Sequence, residues 1–387
     1  MRQLQIVDMF CGGGGESTGL IQAAASHGFS VRLSAINHWE RAIETHAANH
    51  PGAEHFCESV ERLDPAKVVP SGRLDLLWAS PECTHHSRAR GGRPRSDQSR
   101  ASAWEILKWA GDLDIERIII ENVPEFQTWG RLDADGKPIK SERGRIFRSF
   151  IAALRTHGYA VDYRVLCAAD YGAPTTRRRL FIQAAKGRKK IIWPECTNME
   201  DEDNLFRLPK WRSAEEIVDW LLPSQPISAR KKPLAAATMR RIEHGMRKYW
   251  GKSAVPFLAV LRGTGTARSL DRPLPSVTCS GAHHALVQPE PYLVRYNGGD
   301  CRTHSIAAPM PTLDTRNRYG MVQPQGMADV CFRMLQPHEL AAATGFPAGY
   351  KITGTKAEQV RQIGNAVPPA FASALLSEIL KDKGAAP

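Results

Sequence analysis

Short runs of almost unbroken apolar residues recur through the first half of the chain. Leu74 to Trp78 and Ile118 to Ile120 show the pattern most plainly. A strand with one wet face alternates apolar and polar residues, whereas these runs do not, so both of their faces must be covered. Helix-like stretches separate them. Gln3 to Asp8 reads as a strand, Ser17 to His27 as a helix, Val31 to Ile36 as a strand and Glu40 to Asn49 as a helix stopped by Pro51. Further strands are expected at Tyr163 to Cys167 and Leu180 to Gln183. The order implies a doubly wound α/β core with parallel strands, and such cores bind ligands beyond the carboxyl ends of the strands.

The first strand runs into Gly12-Gly13-Gly14-Gly15, between Asp8 and Phe10 on one side and a helix on the other. Gly12, Gly14 and Gly15 permit a tight turn, and Gly19 permits close packing of the helix on the sheet. The spacing differs from a dinucleotide fingerprint, and no Gly-Lys-Ser or Gly-Lys-Thr follows, so a pyrophosphate ligand is disfavoured. A nucleoside carrying a charged amino-acid tail fits better. Trp39, after the second strand, either stacks on a purine or fills a crevice.

Two other strand ends carry reactive groups. Pro81-Glu82-Cys83 follows Leu74 to Trp78, and Glu121-Asn122-Val123 follows Ile118 to Ile120. A free cysteine is usually a small buried hydrophobe, but one in a basic strand-end loop can hold enough thiolate to attack. Glu121 is either an acid raised by partial desolvation or a helix cap. In Arg177-Arg178-Arg179 an extended backbone points the outer two arginines to one side, where they can hold a carboxylate, a phosphate or a base edge. His85 and His86 beside Cys83 keep a cysteine–histidine hydrolase in view.

The chain of 387 residues carries a formal charge of +12 and a sequence pI near 9.4, which makes nucleic acid the leading partner. Its eight cysteines include no Cys-x-x-Cys pair, so neither a zinc knuckle nor a disulfide framework is indicated. No signal peptide or membrane-spanning run is recognisable, and a reducing cytoplasmic location is expected. After residue 186 the texture changes. From 207 to 252 eleven Lys or Arg face four acidic residues, with Trp211, Trp220, Tyr249 and Trp250 interleaved. A weak echo follows, in which Pro273-Leu274-Pro275 leads to Val287-Gln288-Pro289, and Pro309-Met310-Pro311 to Val322-Gln323-Pro324. This suggests two similar strand-loop units.

The order of these motifs resembles that of the DNA cytosine-5 methyltransferase family. The resemblance starts at Asp8-Met9-Phe10-Cys11-Gly12 and passes through Pro81-Glu82-Cys83, Glu121-Asn122-Val123 and Arg177-Arg178-Arg179. It closes with Leu335-Gln336-Pro337-His338-Glu339 and Gln362-Ile363-Gly364-Asn365-Ala366-Val367-Pro368. It implies an S-adenosyl-L-methionine-dependent, Rossmann-like core with a second, mixed target-recognition domain. The implied divisions are 1–185 for the core, 186–330 for target recognition, 331–355 as a connection, and 356–387 as a helix returning to the core.

Carried over by resemblance, Cys83 is the nucleophile, Glu121 the acid on the cytosine ring, and Arg179 and Arg177 complete the catalytic set. Asp8, Phe10, Gly12, Gly14, Gly15, His38, Trp39, Ser59, Pro81 and Asn365 are the expected cofactor-site residues. Ser87, Arg88, Arg90, Lys231 and Lys232 are the expected DNA contacts, the first three in an arginine-rich lid from Ser87 to Arg100. The implied partner is double-stranded DNA, bound by a monomer of bacterial or phage origin. A restriction endonuclease would be its partner in function and not in contact.

Some positions depart from the family pattern. His38 stands where the family has a ribose-binding glutamate, Ser59 or Glu58 where it has an adenine-binding aspartate, and Thr175 where it has glutamine. Glu82 separates proline from cysteine. Two of these changes fall in the nucleoside half of the cofactor site. The rival readings are a DNA-binding protein with a dead core, the hydrolase, and an enzyme acting on transfer RNA.

Overall fold

The structure is a computed structural model that describes residues 2–81, 102–133, 138–201, 205–249, 255–263, 265–289, 292–297, 300–305, 319–322 and 330–384. Cys83, Ser87, Arg88, Arg90 and the expected lid lie outside the described residues.

The chain divides into two compact units. The first comprises 1–212, 273–281 and 340–387, and the second 213–272 and 282–339. In chain order the first unit begins with β1 (Gln3–Met9), α1 (Gly15–Ser26), β2 (Ser30–Ile36), α2 (Glu40–Asn49), β3 (Glu54–Phe56), α3 (Pro65–Val68) and β4 (Arg73–Ala79). It continues with α4 (Glu105–Asp112), β5 (Asp114–Asn122), α5 (Arg145–Thr156), β6 (Tyr159–Cys167) and β7 (Arg178–Lys186). The second unit holds β8 (Gln225–Pro226), α6 (Ala236–Tyr249), β9 (Phe257–Val260), β10 (Ala267–Ser269), β11 (His284–Pro289), β12 (Tyr292–Asn297), β13 (Asp300–Ser305), β14 (Tyr319–Val322) and β15 (Val330–Met334). The helix α7 (Pro337–Thr344) leads back to the first unit, which ends with α8 (Lys356–Asn365) and α9 (Pro369–Gly384).

Seven strands of the first unit form one sheet in the order β3-β2-β1-β4-β5-β7-β6. From β3 to β5 the pairing is parallel, and the carboxyl-terminal halves of β1, β2, β4 and β5 are buried on both faces, as strands covered by helices on both sides must be. The far end of the sheet departs from this parallel pairing. β7 runs antiparallel to both β5 and β6. This reversal brings the start of β7, with Arg178 and Arg179, to the edge where β1, β4 and β5 end. Direction cannot be read from apolar runs, because a strand buried on both faces has the same composition either way.

One layer of packing joins β4, β5 and β7 to α4 and α5, centred on Trp109, Phe150 and Ile118. On the other side α1 and α9 meet around Leu20, Trp78, Phe181 and Phe371. Gly19 is explained there, though by a different neighbour from the one expected. An added Cβ would lie 2.1 Å from the Pro369 carbonyl oxygen, so the close approach is to the start of α9 rather than to the sheet. Residues 356–381 have the length and apolarity of a membrane span, yet 67% of the most apolar window is buried in the structure. That burial is the reason for its composition.

The boundary at 185 also moves. Residues 186–212 pack with the first unit because their aromatic side chains are tied to it. Trp193 Nε1 donates to Asp162 Oδ2 at 2.7 Å, and Trp211 Nε1 donates to Asp170 Oδ1 at 3.0 Å. Residues 273–281 join it too, with Thr176 N donating to the Leu274 carbonyl at 2.9 Å. The connection at 331–355 is itself divided, since the first unit takes it up from Leu340.

The second unit has a five-stranded antiparallel sheet, β10-β9-β11-β15-β8, and a three-stranded one, β13-β12-β14. Both Val-Gln stretches of the internal echo start in strands, β11 and β14, but in different sheets. The Pro-x-Pro segments do not match as units: the first belongs to the first unit, and the second lies outside the described residues.

Candidate active site

The carboxyl edge of the large sheet gathers β1, β4 and β5 side by side. β1 delivers Asp8 and the glycine turn. Phe10, Gly12 and Gly14 have φ of 66°, 51° and 89°, the left-handed region, which for Phe10 is a strained conformation. Gly12 and Gly14 therefore answer to backbone conformation. Gly15 answers to space, since an added Cβ would lie 2.2 Å from the Val367 carbonyl oxygen. β4 delivers Pro81, whose carbonyl accepts a hydrogen bond from Asn122 Nδ2 at 3.2 Å. This contact joins the approach to Cys83 to the end of β5.

Glu121 ends β5, where it is 7% exposed. Arg179 Nε lies 2.8 Å from its Oε1, an ion pair made possible by the reversed β7. Burial raises the Glu121 pKa above the usual carboxylate range, and the Arg179 and Arg177 guanidinium groups oppose the shift. The result is a carboxyl group able to keep a proton nearer neutrality while its oxygen is held in place.

Arg177 departs from its expected place beside Arg179 as a second substrate-facing group. It is buried, and it donates from Nη1 to the Val277 carbonyl at 2.9 Å and from Nη2 to the Gly364 carbonyl at 3.0 Å. Its donors clamp the 273–281 segment and the end of α8 to the sheet edge. Arg178 is exposed.

Among the expected cofactor residues, Trp39 opens α2 as its N-cap, and its backbone N donates to Asn37 Oδ1 at 2.9 Å. The Arg361 guanidinium lies 4.4 Å from the Trp39 ring centroid, so one face of the indole already carries a cation. His38 is exposed, and Asn365 is exposed at the end of α8. Ser59 donates from Oγ to Glu61 Oε2 at 3.1 Å. Lys231 and Lys232 are exposed in the second unit.

The sequence reading missed a polar network behind the glycine turn. Ser17 Oγ donates to Asp8 Oδ2 at 2.5 Å, His46 Nε2 lies 2.9 Å from Ser17 Oγ, and His46 Nδ1 lies 2.9 Å from His55 Nε2. Tyr350 donates to the Gly13 carbonyl at 2.7 Å, and His50 Nε2 lies 3.0 Å from Thr18 Oγ1. The spacing of His46 and His50, one helical turn apart, was a usable signal that both share a face of α2.

Burial pushes the Asp8 pKa up to about 8, against the Ser17 hydrogen bond, and raises that of Glu16 with help from the Asp8 charge. His46 is held at about 2 and His284, in the second unit, at about 3, in both cases mainly by burial. The signs differ. The histidines, titrating near 6.5 when unfolded, contribute stability that levels off about one pH unit above that value and is lost as pH falls toward 3 and 2. Asp8, titrating at 3.8 when unfolded, contributes stability that is present below that value and lost as pH rises through 8. Above about pH 7.5 the unfolded histidines are almost wholly neutral, so the ligand-free protein is expected to lose stability between about pH 7.5 and about pH 8.5. The loss from Asp8 is at most about 1.4 kcal/mol per pH unit. Urea unfolding at about pH 7.5 and about pH 8.5 measures it, and Asp8→Asn should flatten the decline. No decline in the unsubstituted protein would contradict the assignment.

The turn suits the expected cofactor. It offers backbone at close range, a fully buried Asp8 whose Oδ1 has no partner among the described residues, and an indole face within the same unit. This donor set favours a cationic ligand with an aromatic base and offers no lysine for a pyrophosphate.

Comparison with known proteins agrees with this geometry. The family model described as C-5 cytosine-specific DNA methylase matches residues 4–381. The chain is 25% identical to the type II methyltransferase M.AgeI of Thalassovita gelatinovora, over 97% of this chain and 99% of that protein. It is also 25% identical to DNA (cytosine-5)-methyltransferase 1B of Oryza sativa subsp. japonica, over 96% of this chain but 28% of that longer protein. In fold it is similar to the solved Spodoptera frugiperda DNMT2 mutant, with a TM-score of 0.59 and 16% identity over 98% of this chain and 99% of that one. A putative DNA modification methyltransferase encoded within an E. coli prophage gives a TM-score of 0.56 at 18% identity, covering 98% of this chain and 99% of that one. A Rossmann-like methyltransferase core with an added mixed β domain, carrying these motifs in this order along nearly its whole length, places the chain in the C-5 cytosine-specific DNA methylase family.

Proposed function

We propose that the protein methylates carbon 5 of a cytosine flipped out of a specific duplex DNA sequence, through a covalent Cys83 adduct at carbon 6. The observation that carries this reading is the Glu121–Arg179 pair, held at the sheet edge that also bears the glycine turn and the strand leading to Cys83. Carbon 5 of the aromatic ring is a weak nucleophile. Addition of the Cys83 thiolate to carbon 6, with Glu121 donating at ring nitrogen 3, converts the ring to an enamine. S-adenosyl-L-methionine supplies the electrophilic methyl group that carbon 5 takes up. Loss of the carbon 5 proton, expulsion of the Cys83 thiolate and return of the nitrogen 3 proton to Glu121 then restore the aromatic ring. Arg179 orients the Glu121 carboxyl group throughout.

Within this reading Asp8, Phe10, Gly12, Gly14, Gly15 and Trp39 hold the cofactor, with His38, Ser59, Pro81 and Asn365 at its margins. A stacked cytosine cannot be enclosed in this way. Flipping it out costs a few kcal/mol, which basic contacts to flanking phosphates offset. Ser87, Arg88, Arg90, Lys231 and Lys232 are assigned to the DNA, the two lysines to phosphates. Lys231→Ala with Lys232→Ala should weaken cognate and unrelated duplexes alike. A loss confined to the cognate duplex would reassign them to base reading.

The test is direct. Purified protein, duplex DNA and S-adenosyl-L-methionine are expected to yield 5-methylcytosine on mass spectrometry of the digested nucleosides. N4-methylcytosine, N6-methyladenine or methylated RNA alone would overturn the proposal. Bisulfite sequencing of DNA from expressing cells then reads the target site. The likeness to named type II methyltransferases supports pairing with a restriction endonuclease of that same site. Failure of the methylated DNA to resist any endonuclease that cuts there would count against the pairing.

A further inference from the structure

Behind the glycine turn lie two buried carboxyl groups, Asp8, which the reading above assigns to the cofactor, and Glu16, which it leaves without a role. Asp8 is fully buried near the end of β1. Its Oδ2 lies 2.5 Å from Ser17 Oγ, and its Oδ1 has no hydrogen-bond partner among the described residues. Glu16, in the first turn of α1, is 2% exposed and is hydrogen-bonded to the Ser80 side chain. Among the described residues, the Glu121 carboxyl on β5 and Asp8 itself act on Glu16, and the two carboxyl groups act in turn on the buried Cys11 thiol and the Tyr350 hydroxyl; none of these groups is a cation. Among the described residues, the guanidinium groups at this sheet edge are engaged by other partners, Arg179 by Glu121 and Arg177 by the carbonyls of Val277 and Gly364.

Two buried carboxyl groups that repel one another resist joint ionisation, because desolvation and mutual repulsion act in the same direction. An arriving cation reverses that balance. The proposed cofactor carries a permanent positive charge on its sulfonium, whereas its demethylated product, a thioether, does not. We infer that Asp8 and Glu16 form the counter-charge for the sulfonium end of the cofactor, one of the two carboxyl groups ionising as that charge enters the site. This inference rests on the cofactor reading given above.

The proton has a route out. While Asp8 is protonated it donates to Ser17 Oγ, Ser17 donates to His46 Nε2, and His46 Nδ1–H donates to His55 Nε2. Ionisation reverses each of these bonds. The serine hydroxyl then donates to the carboxylate, His46 donates from Nε2, and His46 Nδ1 accepts from His55. The net change is one proton removed from Asp8 and one delivered to water through His55, which is partly exposed.

Calorimetric titration of the whole protein with S-adenosylmethionine and with S-adenosylhomocysteine, in buffers of different ionisation enthalpy at pH 7, tests this. The sulfonium compound is expected to release close to one proton more per site than the thioether. The Asp8→Asn, Glu16→Gln double variant should lose that difference, and its preference for the sulfonium compound should fall roughly tenfold relative to the unsubstituted protein. The proton count of the unsubstituted protein is decisive even if the double variant does not fold. Equal proton counts for the two ligands would overturn this inference and leave the cofactor reading standing. Binding of neither ligand would overturn both.

Discussion

Cys83→Ala is expected to abolish methyl transfer while leaving cofactor binding and much of the DNA affinity in place. The thiol supplies the covalent step, whereas affinity for duplex DNA comes largely from phosphate contacts. Loss of a nucleophile that enters the bond changes should lower the rate by at least about 10³-fold, to the background of the assay. A duplex bearing 5-fluorocytosine in the target supplies the positive counterpart. After methylation the fluorine cannot leave as a proton, so the unsubstituted enzyme should remain attached to the DNA on a denaturing gel. The same gel with Cys83→Ala should show no adduct. An adduct in that variant would assign the attack to another residue. Glu121→Gln gives a complementary result, because it retains the size of the side chain but removes the proton donor and the charge facing Arg179. It should slow both adduct formation and turnover with folding intact, and equal rates would remove Glu121 from the chemistry.

The parts of this site that could be read from the chain are those whose physical cause is local. Leu74 to Trp78 and Ile118 to Ile120 advertise burial on both faces, and the groups that follow such strands must lie at the sheet edge. Glu121 and Pro81 accordingly stand at the carboxyl ends of β5 and β4. What depended on partners far along the chain was hidden. Arg177 and Arg179 look equivalent in an arginine triplet, yet the antiparallel course of β7 sends one to Glu121 and the other to carbonyls at 277 and 364. Glu16 follows a glycine run, and nothing in its neighbours along the chain announces burial. That burial comes from the packing of the first turns of α1, where Gly15 meets the Val367 carbonyl and Gly19 meets the start of α9. The 186–212 segment reads as part of a basic domain, but Trp193 and Trp211 bind it to the core through single hydrogen bonds that composition does not reveal.

The largest effect on folding is expected at Glu339, which the motif comparison noted and the chemistry does not require. Its carboxylate is fully buried in the second unit and every strong acceptor position is used. Arg333 donates from Nη1 to Oε2 and from Nη2 to Oε1, each at 2.8 Å, while the backbone N–H groups of Asp219 and Gln336 donate at 2.8 Å and 2.7 Å. The pair ties the end of β15 to the start of α7 and to the loop at 219. Glu339→Ala leaves the Arg333 guanidinium buried without its anion and strips two backbone donors of their acceptor, at a cost of about 3–5 kcal/mol. Arg333→Met leaves the carboxylate buried but still bonded by the two backbone donors, so it should cost less. Joining Arg333→Met to Glu339→Gln removes both charges and keeps an acceptor, and should recover a large part of the loss. Chemical denaturation of the unsubstituted protein, Arg333→Met, Glu339→Gln and the double variant, followed by a probe in the second unit, gives the coupling directly. Additive effects of the two changes would mean that the ion pair is incidental and that Glu339 matters only as a cap for the surrounding backbone.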